Sequence, residues 1–248
     1  MAIDYVGVIE SESALIGAAL AANRSGRVPW SERWSVATVA KHVGGTHHVV
    51  TQVISGRPDA DFGLFAQLDA PESSDPTLGE WLADGTAGLA AILRGTDPAE
   101  PCWSWTALGT TVGFWGRRMA QETLVHRWDA EAGAGASITP MAPDVAADGI
   151  DEYLEVFVAA TRDLQGAPAG PSIGFACTDV DRRWTLELPA AGARTVTQGS
   201  DSGDLVLSGP AQGLLLTAWG RVRPDAVGVD VAGDRQILEE WATLLPPM

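Results

Sequence analysis

Through the first half of the chain, apolar residues recur at helical spacing, and through the second half they fall in short alternating runs. Residues 3–23 read as a first amphipathic helix that ends near Asn23-Arg24-Ser25-Gly26. Val28-Pro29-Trp30 reads as an extended approach to the next element. Ser35 is a good N-cap for a second helix, VATVAKHVGGTHHVVTQVI, in which Val36, Val39, Val43, Val50 and Ile54 follow helical spacing. Gly44-Gly45 inside it costs roughly 1 kcal/mol per glycine against alanine, so a close neighbour is expected there. A Pro/Gly/Asp-rich loop with Arg57-Pro58 and Pro71 through Pro76 follows. The segment 77–95 predicts a third helix with Leu78, Trp81, Leu82, Leu89 and Leu93 on one side. After the loop TDPAEPCWSWTALGT, a fourth helix is expected from about Val112 to Glu131. Four helices in about 130 residues suggest a bundle.

The texture changes after GAGASITPMAPD. Residues 143–164 predict a helix, and SIGFACT, RWTLELP, ARTVTQ and DLVLSG read as strands separated by turns. PAQGLLLTAWG then reads as a helix, VGVDVAG as a strand and RQILEEWATLL as a last helix. The expected fold class is therefore α+β in two domains: a helical bundle over 1–138 and a small α+β domain over 139–248.

Composition narrows the partners. With 32 acidic and 16 basic residues the formal net charge is −16, and no basic run exists. Binding to a nucleic-acid backbone or an anionic membrane is not expected. The N-terminal stretch carries acids where a signal peptide needs basic residues, and no apolar run is expected to approach a membrane span. Cys102 and Cys177 lie far apart, so a disulfide framework is not indicated and a cytoplasmic location is the default. Richness in Ala, Gly, Asp and Arg with little Lys suggests a high-GC bacterium.

The chain has four histidines, His42, His47, His48 and His126, three of them in the second helix. By helical angle His47 lies on the stripe of Val36, Val43, Val50 and Ile54, and points to the core. His42 shares a neighbouring face with Val39, Thr46 and Val49, and His48 sits with Lys41 and Gln52 on the wet side. Glu122 and His126, in MAQETLVHRWDAEAG, are at i and i+4 and meet on one helix face. With a histidine from the second helix, either His42 or His47, they would make a three-ligand metal site with open positions, the mark of a catalytic metal. The plainer reading is a solvent-facing Glu–His pair. HExxH, GxGxxG, Walker A and GxSxG are absent. Trp103, Trp105 and Trp115 read as core packing or as a pocket wall. Arg221, at a helix–strand junction, reads either as a carboxylate clamp or as a cation at a helix C-terminus. Asp129, one turn after His126, reads as an orienting partner of a ligand or as a surface acid.

WSVATVAKHVGG (34–45) and ETLVHRWDA (122–130) resemble paired elements of the mycothiol-dependent maleylpyruvate isomerase family. DLVLSGPAQGLLLTAWGR and VGVDVAGDRQILEEW resemble that family's C-terminal domain, in the same order. The resemblance implies a DinB-like four-helix bundle and a Zn2+ site, with another divalent metal as the alternative. Its ligands would be His42, Glu122 and His126, since the histidine of AKHVGG is the one in register. It also implies mycothiol, the actinobacterial counterpart of glutathione, as thiol cofactor, and a substrate-facing role for Arg221, with a pocket between the two domains. A metal-held thiolate would add to a conjugated cis double bond, and rotation and expulsion of the thiol would give the trans product. The partners expected are thus a small thiol and an electrophilic substrate. A mycothiol S-transferase would need only the first half of this chemistry, and a non-catalytic binding protein none of it.

Overall fold

A computed structural model describes residues 2–56, 63, 67–106, 109–159, 171–187 and 195–244. Arg57-Pro58, the helix expected over 160–164, the strand ends at 188–189 and 193–194, and residue 245 lie outside the described residues. The chain divides into two compact units, Met1–Thr139 and Pro140–Met248.

The first unit is a four-helix bundle: α1 (Tyr5–Asn23), α2 (Val36–Ile54), α3 (Leu78–Gly95) and α4 (Val112–Ala134). Short polar side chains start three of them. Asp4 accepts from the Gly7 N–H, Ser35 from Thr38 and Thr111 from Phe114, each satisfying a donor the helix leaves open. α4 runs on past Glu131 and ends at Gly135, whose φ of +70° suits a residue without Cβ. α1 packs on α3 and α4, and α2 on α3 and α4. One apolar cluster gathers Ile9, Val49, Leu89 and Trp115, and another Ile16, Leu20, Val43 and Leu82. The neighbour expected at Gly44 is Trp81: a Cβ there would lie 2.6 Å from its ring.

Two features depart from the sequence pattern. α1 is long and apolar enough, at mean hydropathy 1.3, to match a membrane span by composition, contrary to the expectation that no run approaches one. Yet Glu10 pairs with Arg94 of α3 and Glu12 with Arg127 of α4, and Ile9, Ile16 and Leu20 fill the core, as befits a bundle helix. The second departure is α4. It buries Arg118, Gln121, Thr123, His126, Arg127, Asp129 and Glu131, so its polar residues do not face water. Arg127 is fully buried and donates to Glu12 at 2.6 Å, to Glu131 at 2.8 Å and to the Thr139 carbonyl at 2.6 Å. Glu131 also accepts from the Thr139 N–H and hydroxyl. This cluster ties α1, α4 and the chain leaving the bundle to one guanidinium.

The second unit is α+β, as expected. α5 (Pro143–Glu152) continues in wider π-type turns through Tyr153–Ala159. The strands β1 (Ser172–Cys177), β2 (Arg183–Glu187), β3 (Thr195–Gln198), β4 (Leu205–Gly209) and β5 (Asp230–Gly233) form one mixed sheet in the order β3-β2-β1-β4-β5. β1 pairs antiparallel with β2 and parallel with β4. α6 (Ala211–Ala218) follows β4 and packs on α5, and α7 (Arg235–Leu244) follows β5. β5 starts later than the expected strand over 227–233, because Pro224–Val227 forms a single 3-10 turn closed by Gly228 at φ +69°. Buried Asp151 of α5 accepts from Trp184 of β2 at 2.6 Å, from Gln198 of β3 at 3.0 Å and from Arg182, which pins α5 to the sheet.

Replacing Arg127 by methionine leaves Glu12 and Glu131 as carboxylates without their cation. The loss is expected to be about 3–5 kcal/mol, the range for breaking a buried ion pair. A urea titration at neutral pH measures it, and an unchanged midpoint would contradict this account of the cluster.

Candidate metal centre

α2 carries His42 toward α4, and α4 presents Glu122 and His126 one turn apart on a single face. His42 Nε2 and Glu122 Oε1 are 2.8 Å apart, and His126 Nε2 is 3.3 Å from the same oxygen. One donor atom from each residue lies within 4.8 Å of the other two. Two imidazole nitrogens and a carboxylate oxygen converging in this way fit a divalent transition metal, since a His/His/Glu donor set leaves coordination positions open. His42 and Glu122 are half-buried and His126 is buried, so the cluster is partly within reach of solvent.

Each donor has a backing partner. Arg118, one turn before Glu122 and 3% exposed, holds the other carboxylate oxygen at 2.8 Å. Arg118 belongs to no motif of its own, and the fold commits it to Glu122. The i, i+4, i+8 run Arg118, Glu122, His126 was the signal for it. His126 Nδ1 lies 2.8 Å from Asp129 Oδ2, and Asp129 Oδ1 accepts from the Trp30 indole at 2.6 Å. Asp129 is thus a buried partner of a candidate ligand, and the surface-acid reading is corrected. Trp34 stacks on the His126 ring at 5.6 Å and 12°, and meets the His42 ring edge-on at 5.1 Å.

Trp30 and Trp34 come from the segment between α1 and α2, which a close backbone approach draws onto α4. A Cβ on Gly26 would lie 2.0 Å from the Gly133 carbonyl oxygen. The Val28 N–H donates to Trp34 O at 3.2 Å, closing a small loop around the two tryptophans. No local pattern in the sequence points to Trp30, and Trp34 stood out only as part of a motif.

Charge in the cluster is set by crowding. Burial alone would raise the Glu122 carboxyl, but the His126 charge, the hydrogen bonds of both histidines and Arg118 hold it well below the usual range. Burial alone would pull His126 down, but the charge of Glu122 and the hydrogen bond to Asp129 push it up to about 9. Without a metal, His126 is therefore a cation between two carboxylates, and a metal ion held here would have to take the place of its proton.

His47 is fully buried, as its helical angle requires, with Nδ1 3.2 Å from Thr86 Oγ1 and Nε2 3.0 Å from Thr123 Oγ1. Both hydroxyls also donate to their own helix carbonyls, at Leu82 and Met119. A neutral imidazole has only one N–H, so one threonine must turn its proton toward His47. Burial lowers His47 to about 3, which excludes the doubly protonated form at neutral pH. His48 is half-buried rather than on the wet side, because α3 covers that face and the ring lies against Trp81. Trp115 is fully buried and packs with Trp105 and Phe114, while Trp103 is 41% exposed. Burial pushes the Cys177 thiol up to about 12 and also raises that of Cys102. Arg221 follows α6 in the second unit, is buried, and donates to the Trp219 carbonyl at 3.1 Å.

The two buried histidines give the metal-free protein a defined pH profile. The folded pKa of His47 lies below its unfolded value of 6.5, so its contribution is intact above about pH 6.5 and lost as pH falls toward 3. The folded pKa of His126 is raised, so its contribution is intact below about 6.5 and lost as pH rises through 9. With chelator present, stability is expected to peak near pH 6.5, with slopes of up to about 1.4 kcal/mol per pH unit on either side. Denaturant titrations from about pH 5 to 9 measure this. His47→Gln should flatten the acid limb and His126→Gln the alkaline one, and a wild-type profile flat on both sides would contradict both assignments.

Residues 9–131 match the family model described as the mycothiol maleylpyruvate isomerase N-terminal domain, and residues 144–240 match the MDMPI C-terminal domain. A search among curated proteins found no match. Among solved structures, crystal structures of the mycothiol-dependent maleylpyruvate isomerase and of a histidine-to-alanine variant of it are similar. Each is 18% identical, with a TM-score of 0.59 over 92% of this chain and 92% of that one, a likeness in fold. Two domain matches in the same order, on a chain with that fold, show that this protein belongs to the mycothiol maleylpyruvate isomerase family.

Proposed function

We propose that this protein is a metal-dependent isomerase that uses mycothiol to convert a conjugated cis acid to its trans form. In this reading His42, Glu122 and His126 hold the metal. The observation that carries it is the convergence of three ligand-type atoms within 4.8 Å of one another, from two helices, in a member of this family. A divalent ion held there, Zn2+ in our reading, would supply Lewis acidity that lowers the pKa of a small thiol toward neutral pH. The chain's own residues do the rest. Arg118 balances the charge of Glu122 and turns Oε1 toward the two imidazoles. Trp34 covers the His126 ring and shields it from water. The cysteine thiols of the chain are held protonated, which favours a nucleophilic sulfur from outside. Arg221 keeps the role the resemblance implies, orienting an anionic group of the substrate.

Elemental analysis of purified protein tests the metal, with about one ion expected per chain in the wild type and loss in His42→Ala and Glu122→Ala. With mycothiol and a cis-conjugated diacid, the metal-loaded wild type should yield the trans isomer. His126→Ala should lose at least about 100-fold in rate, more than loss of an outer partner costs. An S-conjugate in place of the isomer would identify an S-transferase. Metal uptake with no thiol affinity would identify a binding protein.

A further inference from the structure

We infer that Asp129, itself held by Trp30, is the positioning residue that decides which nitrogen of His126 faces the metal. The inference rests on the metal reading above. It follows from counting protons around a fully buried carboxylate. The two Asp129 oxygens face different groups: Oδ2 lies 2.8 Å from His126 Nδ1, and Oδ1 lies 2.6 Å from Trp30 Nε1. An indole N–H can only donate and an ionised carboxylate can only accept. Nδ1 of His126 therefore carries a proton. The neutral imidazole, the form a metal ligand takes, has only one, so once the cation gives up its second proton it is Nε2 whose lone pair is free. Nε2 is the atom 3.3 Å from Glu122 Oε1, inside the three-donor cluster.

The pairing reaches across 99 residues of sequence, so the tertiary fold supplies it. Trp30 holds the Asp129 carboxylate, and Trp34, stacked at 12° on His126, holds the plane of the ring. A ligand whose tautomer and ring plane are both fixed in advance loses little freedom when the metal arrives.

Asp129→Asn probes this specifically. The amide offers one acceptor and one donor where two acceptors stood. If its oxygen faces Trp30, its N–H faces Nδ1, and the His126 proton moves to Nε2, the atom the metal needs. If its oxygen faces His126, a donor is set against the indole N–H. Trp30→Phe keeps an aromatic ring beside Trp34 and removes the indole N–H from which Asp129 Oδ1 accepts.

The test is Zn2+ affinity by competition with a chromophoric chelator, together with nitrogen NMR of the Zn2+-loaded protein carrying labelled histidine. In the wild type, Nε2 of His126 should be metal-bound and Nδ1 protonated. Asp129→Asn should bind Zn2+ about 10–100-fold more weakly and lose that single tautomer. Trp30→Phe should weaken binding by about 2–10-fold, the worth of one hydrogen bond. A merely structural role would lower the unfolding midpoint without moving the tautomer. Should Asp129→Asn not fold, Trp30→Phe decides alone. Variants with wild-type affinity and an unchanged tautomer, or a wild type bound through Nδ1, overturn the inference while leaving the metal reading intact. A folded wild type that takes up neither Zn2+ nor another divalent ion overturns the metal reading, and this inference with it.

Discussion

The structure of the bundle turns on one carboxylate. Glu122 is only 18% exposed, yet it stays ionised because His42, His126 and Arg118 surround it. A charge so placed is tolerated only when its partners are fixed, since losing one leaves a desolvated ion behind. That requirement reaches outward. α2 must lie against α4 at His42, α4 must place Arg118 and His126 one turn to either side, and Asp129 must stand behind His126. The segment between α1 and α2 then closes over the cluster with Trp30 and Trp34.

α4 meets this demand by giving up amphipathicity. A helix that serves only the core shows an apolar stripe on one side. α4 instead buries polar groups along its length, as two separate clusters. The first is the donor set around Glu122. The second is Arg127 with Glu12 and Glu131, which anchors α1 and the exit from the bundle. The residues alternate between the two tasks, with His126 and Asp129 turned to one cluster and Arg127 and Glu131 to the other. The buried apolar residues of this helix, among them Trp115, Met119, Leu124, Val125 and Trp128, run along its length between these polar groups.

His47 shows the same economy in the core. Its two nitrogens face two threonine hydroxyls that are already engaged with their own helices, so the trio is short of one proton. Thr123 is the neighbour of Glu122 in sequence, so this buried contact helps fix α4 beside the cluster. Functional sites commonly carry such local departures from the best packing.

The sequence by itself determined what depends on neighbours along the chain. Helical and alternating periodicity placed the four bundle helices and the five strands, and Ser35 marked the start of α2. The i, i+4 spacing put Glu122 and His126 on one face, and the motif order pointed to the family. Helical angle also placed His47 in the core, but it left His42 and His47 as alternatives, because position on a helix does not say what lies opposite. The tertiary structure decided the rest. It set His42 against Glu122, 80 residues away, and Trp30 against Asp129, 99 away. It buried the polar side of α4 that local pattern reads as solvent-facing, and it covered His48 with α3. Periodicity reports only which residues share a face. Which faces meet is set by helix packing, and the protonation of a buried group follows from the charges that packing brings together.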